Sequence, residues 1–182
     1  MLASRMILAA WLLHSIRLAA ALGMALLAMQ APAITREYQA ALLQLVRSSD
    51  QEIAQRKASA ERFYGIAPAE DETHFLSQLR AVEPSNAETL AAAIGQQRGL
   101  KASYERIERR SDLLRPIAAA EDVVADADGP RRQIARTVFD SFAPQLDLSF
   151  AAAAYGLVGL FLGSLIGELL TAALFPRHRR AA

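Results

Sequence analysis

Two long apolar stretches close this 182-residue chain at its ends, and between them apolar and charged positions alternate at helical spacing. The C-terminal stretch, Phe150 to Phe175, carries Glu168 as its single formal charge, and Leu148 to Gly167 is 20 residues without one. At about 1.5 Å of rise per residue, such a run matches a hydrocarbon core of about 30 Å and predicts a transmembrane helix over 150–175. The competing reading is a core helix of a soluble protein, but those seldom run so long without an amphipathic break. Within the run, Ala152, Gly156, Gly159, Gly163 and Gly167 fall on one helix face at about 100° per residue. Small residues let a second backbone approach closely, so these five are the expected helix-packing residues.

The N-terminal stretch is apolar but holds His14 and Arg17. Two arrangements are open. A tilted helix from Met6 to Gln30 would keep Arg17 inside the bilayer, at about 2.5 to 3.5 kcal/mol if central. Alternatively Leu18 to Ile34 is the span, residues 1–17 are cytoplasmic or interfacial, and Arg17 snorkels to the headgroups. The second is preferred. A cleaved signal peptide competes with both, since Ala31 and Ala33 have the A-x-A spacing. Against cleavage, apolar character begins well before Arg17 and a helical pattern runs straight on after Pro32. Counted inward from Pro32 and Phe150, Arg17 and Glu168 differ in depth by three residues, roughly 4.5 Å. That makes them a candidate intramembrane ion pair, with separate snorkelling as the alternative.

The middle, 35–149, reads as helices. From Thr35 to Tyr64, Tyr38, Leu42, Leu45, Val46, Ile53, Ala60 and Phe63 recur at helical spacing. Gly65 and Pro68 end that helix, and a shorter one is expected over 69–82. Ser85-Asn86-Ala87-Glu88 has the capping-box pattern and opens a helix to about Leu114, with Leu90, Ile94, Leu100, Tyr104 and Ile107 on its inner side. Two further helices are expected at 117–127 and 131–142, separated by Asp128-Gly129-Pro130. The fold class is therefore all-α: two transmembrane helices flanking an antiparallel helical hairpin on the extracytoplasmic side.

Charge sets the orientation. The middle holds 18 acidic and 15 basic residues, whereas Arg5 and Arg17 flank the first span and Arg177, Arg179 and Arg180 form a basic tail over 176–182. Short basic flanks stay in the cytoplasm, so both termini are expected there. The lipid bilayer is the first expected partner, and no basic patch with interleaved aromatics suggests nucleic acid. Zero cysteines excludes disulfides and thiol catalysis. His14, His74 and His178 lie far apart, with no metal-ligand spacing and no nucleophile elbow or phosphate loop, so no metal, cofactor or catalytic residue is expected. Glu70-Asp71-Glu72 before His74 reads as an acidic helix start. Lys101, Glu105, Arg106, Glu108, Arg109, Arg110 and Asp112 read as a solvated face, with Lys101 paired to Glu105.

The segment from Met29 to Gln39, together with Phe139 to Phe142 and Pro144 ahead of the C-terminal span, resembles a family of small bacterial inner-membrane proteins classed as a domain of unknown function. The likeness covers nearly the whole chain in layout, although the N-terminus is longer than that pattern needs and leaves Met6 as an alternative start. It implies two spans with a helical periplasmic segment, and no activity. The expected role is that of a noncatalytic accessory or scaffold subunit contacting another membrane protein or a second copy. A sensory module acting through a partner is the alternative, and a membrane-anchored enzyme is the least favoured.

Overall fold

The computed structural model describes residues 2–67, 71–145 and 149–174, with side chains from residue 11 to residue 173. Among these residues it is all-helical: α1 Leu2–Met29, α2 Ala31–Tyr64, α3 Glu72–Val82, α4 Pro84–Glu108, α5 Arg115–Ala125, α6 Pro130–Ser141 and α7 Phe150–Leu174. The basic tail, Pro68, Glu70 and Leu148 lie outside the described residues. The chain divides into two compact units, 1–35 with 142–182, and 36–141.

In the first unit α1 and α7 run antiparallel. Nothing between Met6 and Arg17 interrupts helical bonding, so α1 continues upstream of Arg17 and stops at Met29, where a helix over 18–34 was expected. Pro32, with no N–H to return to the preceding turn, accounts for the break at Gln30. Gln30 is held there by its own N–H on Leu27 O (3.1 Å) and by Gln145 N–H on its Oε1 (3.2 Å). Ser149 caps α7, accepting from Ala152 N–H at 3.2 Å. Two helical stretches, one from Trp11 onward and the other Phe150–Ala173, are long and apolar enough to cross a membrane. Away from their mutual contact both present large apolar side chains outward, among them Leu27 (69% exposed), Phe161 (66%) and Leu169 (71%).

The second unit has two apolar clusters. One joins Tyr38, Leu42 and Val46 of α2 to Leu100 and Ile107 of α4 and Ala118 and Ala119 of α5, with Ile134 and Ala135 of α6 packed against it. The other joins Ala60 of α2 to Ile66, to Phe75 and Leu79 of α3 and to Ala87, Leu90 and Ile94 of α4. Gly65 turns the chain between α2 and α3 at φ 63°, a left-handed conformation that glycine adopts without steric penalty. Asp71 caps α3 by accepting from Thr73 N–H at 3.1 Å. Of the positions expected inside α2, Leu45 and Phe63 are instead exposed.

Both ends of α4 differ from the sequence reading, and α3 opens at Glu72 where 69 was expected. The α4 helix opens at Pro84, whose fixed φ suits a first helical position, with Glu83 as N-cap and no side-chain cap bond, so the Ser85 capping box is not used. It ends at Glu108 rather than near Leu114. Leu114 and Arg115 N–H both turn back to Ser111 O, at 2.8 and 3.0 Å, and Pro116 then sits in the first turn of α5. With α4 25 residues long and α2 34, the two are not matched in length as expected.

Candidate functional site

The glycine face of α7 lies on α1. A Cβ added at Gly159 would overlap Met24 O and stand 2.7 Å from Ala28 Cβ and 2.9 Å from Ala25 Cα. At Gly163 it would stand 2.7 Å from Ala21 Cα, and at Gly167 2.9 Å from Arg17 Cα. At Gly156 it would clash with the flexible Met29 side chain alone, Cγ at 2.7 Å, with Ala25 O at an ordinary 3.9 Å, and Ala152 is fully buried. Successive glycines of α7 meet residues progressively nearer the start of α1, as antiparallel packing requires. The two backbones are therefore in contact at Gly159, Gly163 and Gly167, where any side chain would hold them apart.

The expected pair of Arg17 and Glu168 is corrected. Arg17 Nε donates to Thr171 Oγ1 at 3.1 Å, Thr171 Oγ1 donates to Glu168 O at 3.0 Å, and no ion pair joins Arg17 to Glu168. Depth counting treats the two residues as points on parallel lines and omits their directions. Thr171 is one turn beyond Gly167 on the contact face and is buried, whereas Glu168 stands about 100° round the helix and is exposed. Side chains also lean toward the N-terminus of their own helix. In an antiparallel pair Arg17 leans toward Thr171 while Glu168 leans the other way.

The second unit contains a polar centre that the sequence reading missed. Asp122 of α5 is 1% exposed. Its Oδ2 accepts from Tyr38 Oη of α2 at 3.0 Å, and its Oδ1 accepts from Ser103 Oγ (2.8 Å) and Arg106 Nη1 (3.1 Å) of α4 and from Arg131 Nη1 (2.9 Å) of α6. Arg131 also donates its backbone N–H and its Nε to Asp126 Oδ2, at 2.9 and 3.2 Å. A side chain at Gly129 would collide with that Asp126 carboxylate. Arg106 stays exposed, as expected, while one of its guanidinium nitrogens reaches Asp122, and Glu105 pairs with Arg109 at 2.9 Å rather than with Lys101. One signal for the centre was available: Asp122 follows Ala118 and Ala119 on the inner face of its helix, and Ser103 falls between Leu100 and Ile107 on that of α4.

The electrostatics follow from this geometry. Burial, then the Asp122 charge and the hydrogen bond to it, pushes the Tyr38 phenol well above its ordinary range. Hydrogen bonds from the Arg131 side chain and backbone hold Asp126 below the usual carboxylate range. Burial opposes the charge on Arg131, but its bonds to Asp126 and the charge of Asp122 outweigh that and raise it. A second, more exposed set ties α2, α3 and α4 together: Lys57 meets Glu72 at 3.1 Å, Arg98 bonds the same carboxylate, and Gln97 donates to Asp50 at 2.7 Å. His74 is hydrogen-bonded to Gln78 at 2.8 Å, in a different unit from His14, and His178 lies outside the described residues.

The family model described as "Protein of unknown function (DUF2937)" matches residues 12–180. The chain belongs to the DUF2937 family. No curated protein and no solved structure matches it. The region matched to DUF2937 contains the glycine face, Arg17 and the Asp122 centre.

Two outcomes are expected. Gly159→Leu or Gly163→Leu forces α1 and α7 apart, and overpacking of this kind costs about 1–3 kcal/mol, so the thermal midpoint in mild detergent should fall clearly. Leu160→Ala, off the contact, should leave it nearly unchanged; equal shifts from all three would remove the contact's significance. Tyr38 holds its proton to higher pH when folded than when unfolded, so the folded state binds more protons above about pH 10 and stability should fall as pH rises from there. Denaturation midpoints measured across that range should decline less steeply in Tyr38→Phe.

Proposed function

We propose that the chain is an integral membrane protein in which α1 and α7 span the bilayer and 36–141 is an extracytoplasmic helical module built on an antiparallel hairpin of α2 and α4. The outward apolar side chains of α1 and α7 support spanning. Retention of α1 is supported by the glycine contacts, because its removal would strip α7 of the surface its small residues fit. Basic residues at both ends support a reading with the termini in the cytoplasm and the bacterial inner membrane as the compartment.

Within that membrane the chain acts as a noncatalytic accessory or scaffold subunit of another membrane protein. One observation carries this reading: Glu168 is exposed among Leu165, Leu169 and Leu170, turned away from α1 and without a side-chain partner among the described residues. An ionisable group in a span is costly unless paired or hydrated, and a donor on a neighbouring span would satisfy it.

The test is purification of the tagged chain in mild detergent. A stoichiometric membrane protein should accompany the wild type and Glu168→Gln, which still hydrogen-bonds, and be lost from Glu168→Leu. Its absence from the wild type, or its retention by Glu168→Leu, would overturn the accessory reading. Independently, an impermeant maleimide on intact cells should label a cysteine at Ser59 and not one at Ala181; the reverse pattern would invert the topology.

A further inference from the structure

Arg17 and Glu168 lie at one depth of the α1 and α7 pair, and each lacks a counter-charge among the described residues. Arg17 Cα stands 2.9 Å from a Cβ placed on Gly167, and its Nε reaches Thr171 Oγ1 at 3.1 Å. It therefore sits beside the single turn of α7 from 167 to 171, which contains Glu168. The Thr171 hydroxyl is neutral, and neither the two Nη groups of Arg17 nor the Glu168 carboxylate has a partner among the described residues. Both side chains are exposed. At about 100° per residue, Thr171 stands about 40° round from Gly167 and Glu168 about 100° round in the same sense. The Arg17 guanidinium, drawn to Thr171, thus emerges on the flank of the contact that Glu168 occupies.

Headgroups at the end of α7 do not answer the Glu168 charge. The helix runs on for six residues to Leu174, about 9 Å, and a helical side chain leans toward the start of its own helix, so the carboxylate points back into the span. What would satisfy it is a cation on a neighbouring span at the depth of 167–171, and the chain carries such a group in Arg17. Two copies inserted the same way hold each residue at equal depth. A two-fold axis along the membrane normal that sets α7 of one copy beside α1 of the other brings Glu168 opposite the second copy's Arg17, twice. The rest of such a contact is also present. Leu157, Phe161 and Ser164 precede Glu168 at spacings of four, three and four, the pattern on which paired helices stay in register, and all three are exposed.

We propose that the chain pairs with a second copy of itself through Glu168 of each and Arg17 of the other. This rests on the reading of α1 and α7 as spans, and it deepens the reading of Glu168 as a contact between subunits. The neighbouring span belongs to the same protein, and a different membrane protein is held by the pair as a unit.

The test expresses two full-length copies with different tags together and captures them through one tag in mild detergent. Wild-type copies should co-purify. Glu168→Arg sets arginine against arginine at both contacts of its own pair, and Arg17→Glu sets glutamate against glutamate, so each variant should recover its own second copy several-fold less than wild type. Expressed together, Glu168→Arg and Arg17→Glu present opposite charges at both contacts and should co-purify as wild type does. Should either fail to accumulate even in the mixture, Glu168→Leu, apolar like its surroundings, decides the matter and should lose most of the co-purification. Wild-type copies that stay apart, a mixed pair no better than either variant alone, or Glu168→Leu copies that pair fully would each overturn the inference. A different membrane protein recovered with only one tag overturns this inference and leaves the accessory reading standing. Paired copies with no other protein do the reverse.

Discussion

A carboxylate buried away from water is tolerated only where charge and hydrogen bonding replace its solvation, which otherwise costs several kcal/mol. In the second unit that requirement fixes four helices at once. Asp122 draws Tyr38 from α2, Ser103 and Arg106 from α4 and Arg131 from α6, so none can slide by a turn without leaving the charge short of a donor. The apolar contacts around it would tolerate such slippage far better, since one aliphatic side chain replaces another at small cost. Burial of Leu42, Ile107 and their neighbours drives the association, and Asp122 selects the register. Ala118 and Ala119 make this possible, because larger residues there would hold α5 too far from α2 for Tyr38 to reach the carboxylate.

The first unit meets a different constraint. Between α1 and α7 no ion pair sets the register; backbone approaches backbone at Gly159, Gly163 and Gly167, and Arg17 is held by a hydroxyl on Thr171. Such packing suits helices long enough to cross a bilayer, where apolar burial would not distinguish a neighbouring helix from lipid and close van der Waals contact would. It also leaves Glu168 facing outward. The contact with α1 occupies the glycine face fully, so any further helix would have to be recognised through the remaining surface of α7, of which Glu168 is the distinctive group.

The chain's place in the DUF2937 family supplies no activity, and functional argument has to begin from surfaces. The apolar belt of α1 and α7 is the most extensive of these, and it is long enough for a bilayer core. In the Asp122 centre, by contrast, both carboxylate oxygens are engaged within the unit, and the chemistry is that of a structural joint.

Much of this protein was legible along the chain because it follows from one-dimensional periodicity. Seven helices, two of them membrane-length, the shared face of Gly156, Gly159, Gly163 and Gly167, and the inner positions Leu42, Leu90, Ile94, Leu100 and Ile107 all come from spacing at about 100° per residue. Spacing carries no information on which surface meets which. Only the tertiary structure decided that the glycine face turns to α1, that Arg17 leans to Thr171 because antiparallel side chains point apart, and that Arg106, still exposed, bonds to Asp122. Helix ends were settled the same way, with Pro84 rather than Ser85 opening α4 and Ser111 closing the turn into α5. A pattern read along the sequence reports how each residue relates to its own helix axis, whereas contacts and unsatisfied charges depend on how two axes are placed, which the chain settles only when it packs.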